Sequence, residues 1–520
     1  KTVHKTLKSY DDESLTEADR LSKEIALYLL DFAKDAEQYR YHNYPVNQLF
    51  GIQNGYPSFM EAQHQVNSVA DAENYLARLE KVKHKFSQEL EGIRLREEKG
   101  IIPPAFVIER VLDEMNNFVE QPVQENILYS ALAKKMSDSE NFSADEQQQL
   151  LAKAKSNIVT FVHPAYQLLI DYFTQLQAKA TDDDGFWRLP DGDKAYASAL
   201  QFFTTTDYTP QYIHDVGLKE VARIQSEILA ILVAQGYDIS QGFTAAIESL
   251  AAQESFYYPD TDEGRAQILK DYQTILDEID AGLDSAFRIR PKAGMEVARI
   301  PEFKEKTAPG AYYQQPAIDG SRPGRFFANL YDIKATPKYS MRTLAYHEGI
   351  PGHHFQIAVA MELEGLALFR MFSPFTAYVE GWALYSEYLA WEMGFQDDPF
   401  DNIGRLQAEL FRAVRLVVDT GIHYKKWTRQ QAIDYMKSNT GMAQSDVTSE
   451  IERYIVMPGQ ATSYKVGMMK ILALREKAKT ALGDRFDLRD FHDVVLKNGA
   501  VPLDILERFI DRYIADTLAR

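Results

Sequence analysis

Residues 347–354 read His-Glu-Gly-Ile-Pro-Gly-His-His, a concentration of metal-ligating and proton-transferring side chains. Two histidines four apart on one helix hold Zn²⁺, and a Glu directly after the first serves as general base. His347 and Glu348 follow that order, but Pro351 stands where the second histidine belongs, and the next histidines are His353 and His354. Proline has no N–H, so a helix through Pro351 loses its bond to the His347 carbonyl. Ile350, before the proline, is steered away from the α region, and Gly349 and Gly352 weaken a helix further. Two backbones remain. A helix over "SMRTLAYHE" ends near Gly349 and a second starts at Pro351, a favoured first position, or one helix bulges out the extra residues. In a straight helix His347 and His354 share a face but lie ~10.5 Å apart, too far for bonds of ~2.0–2.1 Å to one zinc. With the chain folded tighter by two residues, His353 takes the place of the second histidine, and Glu348 keeps that of the base.

A third ligand is expected downstream. "SPFTAYVEGWALYSEYLAWEMG" predicts a helix with Ser373 or Thr376 near its start, and Glu380 and Glu387 share one face of it. Tyr378, Val379, Trp382, Ala383 and Leu384 surround Glu380, and a carboxylate in such surroundings needs a partner or a metal. His347, His353 and Glu380 would form a His₂Glu set for one Zn²⁺ per chain, with a fourth position open to water. The bland alternative has Glu380 facing solvent. Asp419 and His423 stand four apart on a predicted helix with Arg415, either beside the site or on an ordinary polar face. "GAYYQQPAIDGSRPGRFFANL" offers an edge strand for an extended peptide, and Arg325 in it a partner for a substrate carboxylate. His163 and His214 read as structural.

The elements that must position these residues are mainly helical. Segments 15–40, 58–100, 143–180, 217–237 and 261–287 carry apolar residues at helical spacing, with Thr16 a candidate cap. Between about 288 and 340 the chain turns rich in Gly, Pro, Arg and aromatics. "MEVARI", "AYYQQPA" and "GRFFANLYD" predict short strands, read as a small antiparallel sheet just before the histidine motif. Helices then return. The change of texture divides the chain into a mostly helical lobe, 1–288, and a catalytic lobe, 289–520. "TDDDG" at 181–185 reads as a turn between lobes.

Composition narrows the partners. The formal charge is −19, from 57 Lys and Arg against 76 Asp and Glu; nucleic acid is excluded as a partner, since phosphate binding needs a basic surface, and docking on anionic lipid is disfavoured. With no cysteine, thiolate metal sites and cysteine nucleophiles are ruled out. No uncharged apolar run reaches the ~18 residues of a membrane span. The chain begins "KTVHKTLKSY", without Met, so a processed or truncated start is expected.

"TLAYHEGIPGHHFQ", "YVEGWALYSE", "RLVVDTGIHYKKWTRQQAI" and "MPGQATSYKVGMMKI", with "RLPDGDKAYASAL" and "IHDVGLKEVARI" before them, together resemble the bacterial family called domain of unknown function 885. That family is grouped with the H-E-x-x-H metallopeptidases, near angiotensin-converting enzyme, thimet oligopeptidase and the Taq-type carboxypeptidases. The resemblance implies a mainly α, two-lobed helical protein with a central channel and a small sheet beside the active site. It implies a zinc peptidase in which His347, His353 and Glu380 bind metal and Glu348 is the base, with His353 favoured over His354 by the preceding Gly352. Tyr464 and His423 would stabilise the oxyanion, and His354, Glu387, Asp419 and Arg325 would support ligands or touch substrate. Members of the family are often exported or lipid-anchored, which implies the periplasm or cell envelope, with the signal and anchor missing from this chain. Two other readings use the same residues: another zinc-dependent amide hydrolase, and a non-catalytic peptide-binding protein with a degenerate metal site.

Overall fold

Side-chain caps start helices where polar residues precede apolar periodicity. Thr16 accepts from the Asp19 amide and opens the helix Glu17–Asp35. Ser143 and Glu146 cap each other's backbone ahead of Ala144–Asn157, each satisfying an amide that the first helical turn leaves without a partner. The computed structural model describes residues 2–305, 308–372 and 375–520. It is mainly α, with one small sheet. Of the two expected caps near residue 375, Ser373 lies outside the described residues and Thr376 is the first residue of its helix.

The chain divides into two compact units, residues 38–192 and residues 1–37 with 193–520. The texture change at 288 falls inside the larger unit, and the turn at 181–185 falls inside the smaller one, close to its end. In the smaller unit Tyr75, Leu79 and Phe86 of the helix Val69–Glu98 are buried with Tyr166 and Phe173 of the helix His163–Gln177. The helical pattern over 58–100 is two helices: Ile52–Ala62 ends, and Ser68 caps a new start by accepting from the Asp71 amide. The pattern over 143–180 is likewise interrupted, by a π-helical turn at Ile158–Val162 just before Pro164.

In the larger unit the helices that bear on the histidine motif are α1 (Pro210–Ala234), α2 (Asp262–Gly282), α3 (Lys338–Glu348), α4 (His353–Met361), α5 (Thr376–Glu392), α6 (Pro399–His423), α7 (Gln444–Val456) and α8 (Ser463–Leu482). The strands are β1 (Met295–Arg299), β2 (Ala311–Gln314) and β3 (Gly324–Ala328), in the order β1-β3-β2. The sheet is mixed and corrects the antiparallel expectation. β2 pairs antiparallel to β3, but β1 runs parallel to it, with Met295 opposite Gly324 and Arg299 opposite Ala328. Residues 300–323 lie between β1 and β3, enough chain for the crossover that a parallel pair requires. Central β3 alternates as a half-buried strand should. Gly324, Phe326 and Ala328 are buried, and the Phe326 ring meets Tyr272 of α2 edge-on at 4.9 Å.

Helices α5 and α8 cross at a point where neither carries a side chain. A Cβ on Gly467 would lie 1.8 Å from the Ala377 carbonyl and 2.7 Å from the Gly381 Cα, so only glycine allows this approach. The crossing brings the start of α8, with Tyr464, alongside the turn of α5 that carries Glu380.

Candidate metal centre

The proline-glycine break makes two helices. α3 ends at Glu348, Gly349 to Gly352 form a turn, and α4 begins at His353. Of the two backbones the sequence allowed, the two-helix one holds, with the second start at His353 rather than Pro351. Space explains both glycines. A Cβ on Gly352 would lie 2.1 Å from the His347 carbonyl oxygen and 2.2 Å from that of Tyr346, and one on Gly349 would strike Leu276 and the Ala345 carbonyl. The turn is pinned from α5: Trp382 Nε1 donates to the Pro351 carbonyl at 2.9 Å and Ser386 Oγ donates to the same oxygen at 3.2 Å.

This fold-back brings His347 and His353 together, with ring centroids 4.8 Å apart and planes 83° apart. Glu380 Oε2 lies 3.6 Å from His347 Nε2 and 3.3 Å from His353 Nε2. The ligand atoms of His347, His353 and Glu380 all fall within 4.8 Å of one another, the one such group of His, Cys, Asp and Glu among the described residues. Ligand atoms around a tetrahedral zinc sit about 3.3–3.5 Å apart at bonds of ~2.0–2.2 Å, so two imidazoles and one carboxylate at these separations fit the ion. Glu387, 1% exposed, sits two turns after Glu380 and accepts from His347 Nδ1 at 2.7 Å. That bond fixes the ring and leaves Nε2 to face Glu380, the outer carboxylate–histidine arrangement common around metals. Burial alone would depress His347, but the carboxylates of Glu380 and Glu387 facing its two ring nitrogens win and push it up to about 9. Burial likewise works against Glu380, and the two imidazoles hold it well below the usual carboxylate range.

The adjacent histidine has a different place. His354 is 1% exposed, and its Nε2 donates to the Ala293 carbonyl at 3.1 Å while Nδ1 accepts from the Tyr313 hydroxyl of β2 at 3.0 Å. Burial lowers it to about 4, so it remains a neutral strut between α4 and the sheet. Gly324 makes room for this bond, since a Cβ there would lie 2.6 Å from His354 Nδ1. Glu348 ends α3 almost fully buried and within electrostatic range of Tyr272.

Tyr464 at the start of α8 feels the charge of Glu380. Burial and that charge raise its pKa, so the phenol stays protonated. Lys465, next in the chain, is buried in an ion cluster, 2.5 Å from Glu409 of α6 and 2.9 Å from Glu220 of α1, which fixes the start of α8. Asp419 and His423 do not join the three-ligand group. Asp419 accepts from the Tyr196 hydroxyl at 2.6 Å and from the Gly459 amide at 3.1 Å, holding the turn that leads into α8. His423 Nε2 donates to the Tyr454 carbonyl at 3.0 Å, and burial lowers it to about 4. Its ring thus braces α6 against α7. Arg325 pairs with Glu296 across β1 and β3 at 3.3 Å, on the exposed surface. Two groups escaped the sequence reading: the Trp382 and Ser386 donors, and Arg412, one helical turn before Arg415.

No helix is long and apolar enough to cross a membrane among the described residues. A family model described as "Bacterial protein of unknown function (DUF885)" matches residues 1–510. No curated protein matches the chain. Among solved structures, a "putative lipoprotein" from Colwellia psychrerythraea is similar at 36% identity and a TM-score of 0.92, over 99% of this chain and 90% of that one. A "putative lipoprotein of unknown function" from Shewanella oneidensis shares the fold at 19% identity and a TM-score of 0.74, over 97% of this chain and 90% of that one. With the family pattern running through nearly its whole length, the chain belongs to the DUF885 family of bacterial proteins.

Proposed function

We propose that the protein is a zinc-dependent peptidase, akin to the H-E-x-x-H metallopeptidases. The observation that carries this reading is the meeting of ligand atoms of His347, His353 and Glu380 within 4.8 Å, with Glu387 buried behind His347 and Glu348 beside it in the chain. Structural zinc sites use four protein ligands, whereas three leave a position for water and substrate. When bound, zinc would polarise the scissile carbonyl and lower the pKa of a water toward ~7. Glu348 then accepts a proton from the attacking water and passes it to the departing amine nitrogen. The water's oxygen ends on the carbonyl carbon and both hydrogens are accounted for on the two products. Tyr464, kept protonated, donates a hydrogen bond to the developing oxyanion, an interaction worth roughly 2.7–4 kcal/mol per donor. The outer strand β2, tied to α4 through Tyr313 and His354, offers an edge for an extended peptide. The kinship with lipoproteins supports a place in the cell envelope.

Elemental analysis of the purified chain tests the reading. About one zinc per chain is expected, lost in Glu380→Ala. Glu348→Gln should retain the zinc while peptide turnover falls roughly 10²–10⁴-fold. A chain that takes up no zinc on incubation, or a Glu348→Gln variant that keeps most of its turnover, would overturn it.

A further inference from the structure

Two arginines on α6 stand beside this group with donors that no described residue accepts. Arg415 is 6% exposed. Its Nε donates to the Tyr454 hydroxyl at 2.8 Å and Nη2 donates to Glu450 at 3.0 Å. Its Nη1 is buried without any hydrogen-bond partner. Arg412, one turn earlier, reaches the Ala408 carbonyl of its own helix at 3.4 Å, and its Nε is also buried and unbonded. Among the described residues no carboxylate lies within salt-bridge distance of Arg412, and Glu450 alone does so for Arg415. Acidic residues outnumber basic ones by 76 to 57 in this chain, so a partly buried guanidinium left without an acid is a departure. Buried donors without acceptors are costly, and a guanidinium fork matches a carboxylate.

Their position ties them to the candidate metal centre. The Tyr464 ring centroid lies 4.8 Å from the Arg415 guanidinium and 5.8 Å from that of Arg412. Tyr464 is within electrostatic reach of Glu380, on helices that meet at the Gly381–Gly467 crossing. The charge of Arg412 also reaches His347. Among the described residues neither arginine pairs with Glu348, Glu380 or Glu387.

We infer that Arg412 and the free Nη1 of Arg415, grouped about Tyr464, form a carboxylate-recognition subsite that takes the free C-terminal carboxylate of a peptide and so makes the protein a carboxypeptidase. The inference rests on the peptidase reading and adds its substrate class: peptides with a free C-terminus, cut near that end. A Glu or Asp side chain carries the same group, and the test separates the two sources.

The test measures calorimetric affinity in the zinc-loaded Glu348→Gln chain, which holds peptides without cutting them. Three probes are compared: N-acetyl-tetra-alanine with a free carboxylate, its C-terminal amide, and an amidated version with Glu at the third position. The free acid should bind at least tenfold more tightly than either amide. Arg412→Gln, which breaks no ion pair of the fold, should remove that preference and leave thermal stability unchanged. Arg415→Lys, which keeps a charge opposite Glu450, should weaken it. Equal binding of acid and amide, or a preference that survives Arg412→Gln, overturns the subsite and leaves the peptidase reading standing. Tight binding of the Glu amide overturns recognition of the chain end in favour of a side chain. A preference lost in Arg412→Gln, together with no turnover by the zinc-loaded wild type, keeps the subsite and overturns the peptidase reading.

Discussion

At the scale of single residues, the candidate centre depends on groups that carry no charge to the metal themselves. Glu387 orients His347 through a 2.7 Å bond. Glu387→Gln should keep the fold and lower zinc affinity by roughly 10–100-fold, as removal of an outer carboxylate typically does; competition with a chromophoric chelator would measure it. Gly352 is as tightly constrained. Its missing Cβ would occupy space held by two carbonyl oxygens of α3, and both belong to backbone that cannot yield without moving His347. Gly352→Ala is therefore expected to reduce zinc content per chain even where circular dichroism still reports a helical protein.

Between elements, the contact that matters most is the crossing of α5 and α8. Large side chains would hold the helices 8–10 Å apart, and Gly381 opposite Gly467 lets the backbones touch. Gly467→Ala should destabilise the protein by about 1–3 kcal/mol, the range for overpacking a filled interior, and should also displace Tyr464. Gly55, inside the helix Ile52–Ala62, is the control, because a Cβ added there would meet nothing within 4 Å. Gly55→Ala should stabilise by about 0.5–1 kcal/mol. Chemical denaturation of the two variants separates a glycine required by packing from one that is merely tolerated.

For the whole molecule, the clearest pH dependence comes from Asp419. Burial raises its pKa from 3.8 to about 7, against the hydrogen bonds from Tyr196 and Gly459 and the charge of Arg453. The folded state thus holds a proton that the unfolded chain releases near its ordinary value. The stabilisation is complete below about pH 4 and is lost as pH rises through about 7, on the order of 4 kcal/mol across the window at ~1.36 kcal/mol per unit. Asp419→Asn, which cannot ionise, should flatten the fall in stability between pH 4 and 7. Urea midpoints at a series of pH values would measure it.

Local chemistry made much of this protein legible without coordinates. The helical class follows from apolar spacing, since a 3.6-residue period has one regular backbone that buries it. The three short strands were marked by their aromatic and β-branched content, and the break in the histidine motif by a proline that cannot donate and glycines that leave room. His347 and Glu348 stand out in sequence by the H-E order, and Glu380 as a carboxylate among apolar neighbours. Contacts between residues distant in sequence needed the folded chain. The sequence leaves His353 and His354 as alternatives; the fold groups His353 with His347 and Glu380 and bonds His354 to Tyr313 and Ala293. The direction of β1 depends on a crossover whose path no local pattern encodes. For His423 and Asp419 the sequence left a place beside the site and an ordinary polar face both open; the fold bonds them to Tyr454, Tyr196 and Gly459, because a motif gives a residue's type and the packing of other helices gives its direction. In sequence Arg412 is an ordinary helix cation, and Arg415 stands out only beside Asp419 and His423. Only the burial of donors that meet no acceptor, Nε of Arg412 and Nη1 of Arg415, distinguishes them.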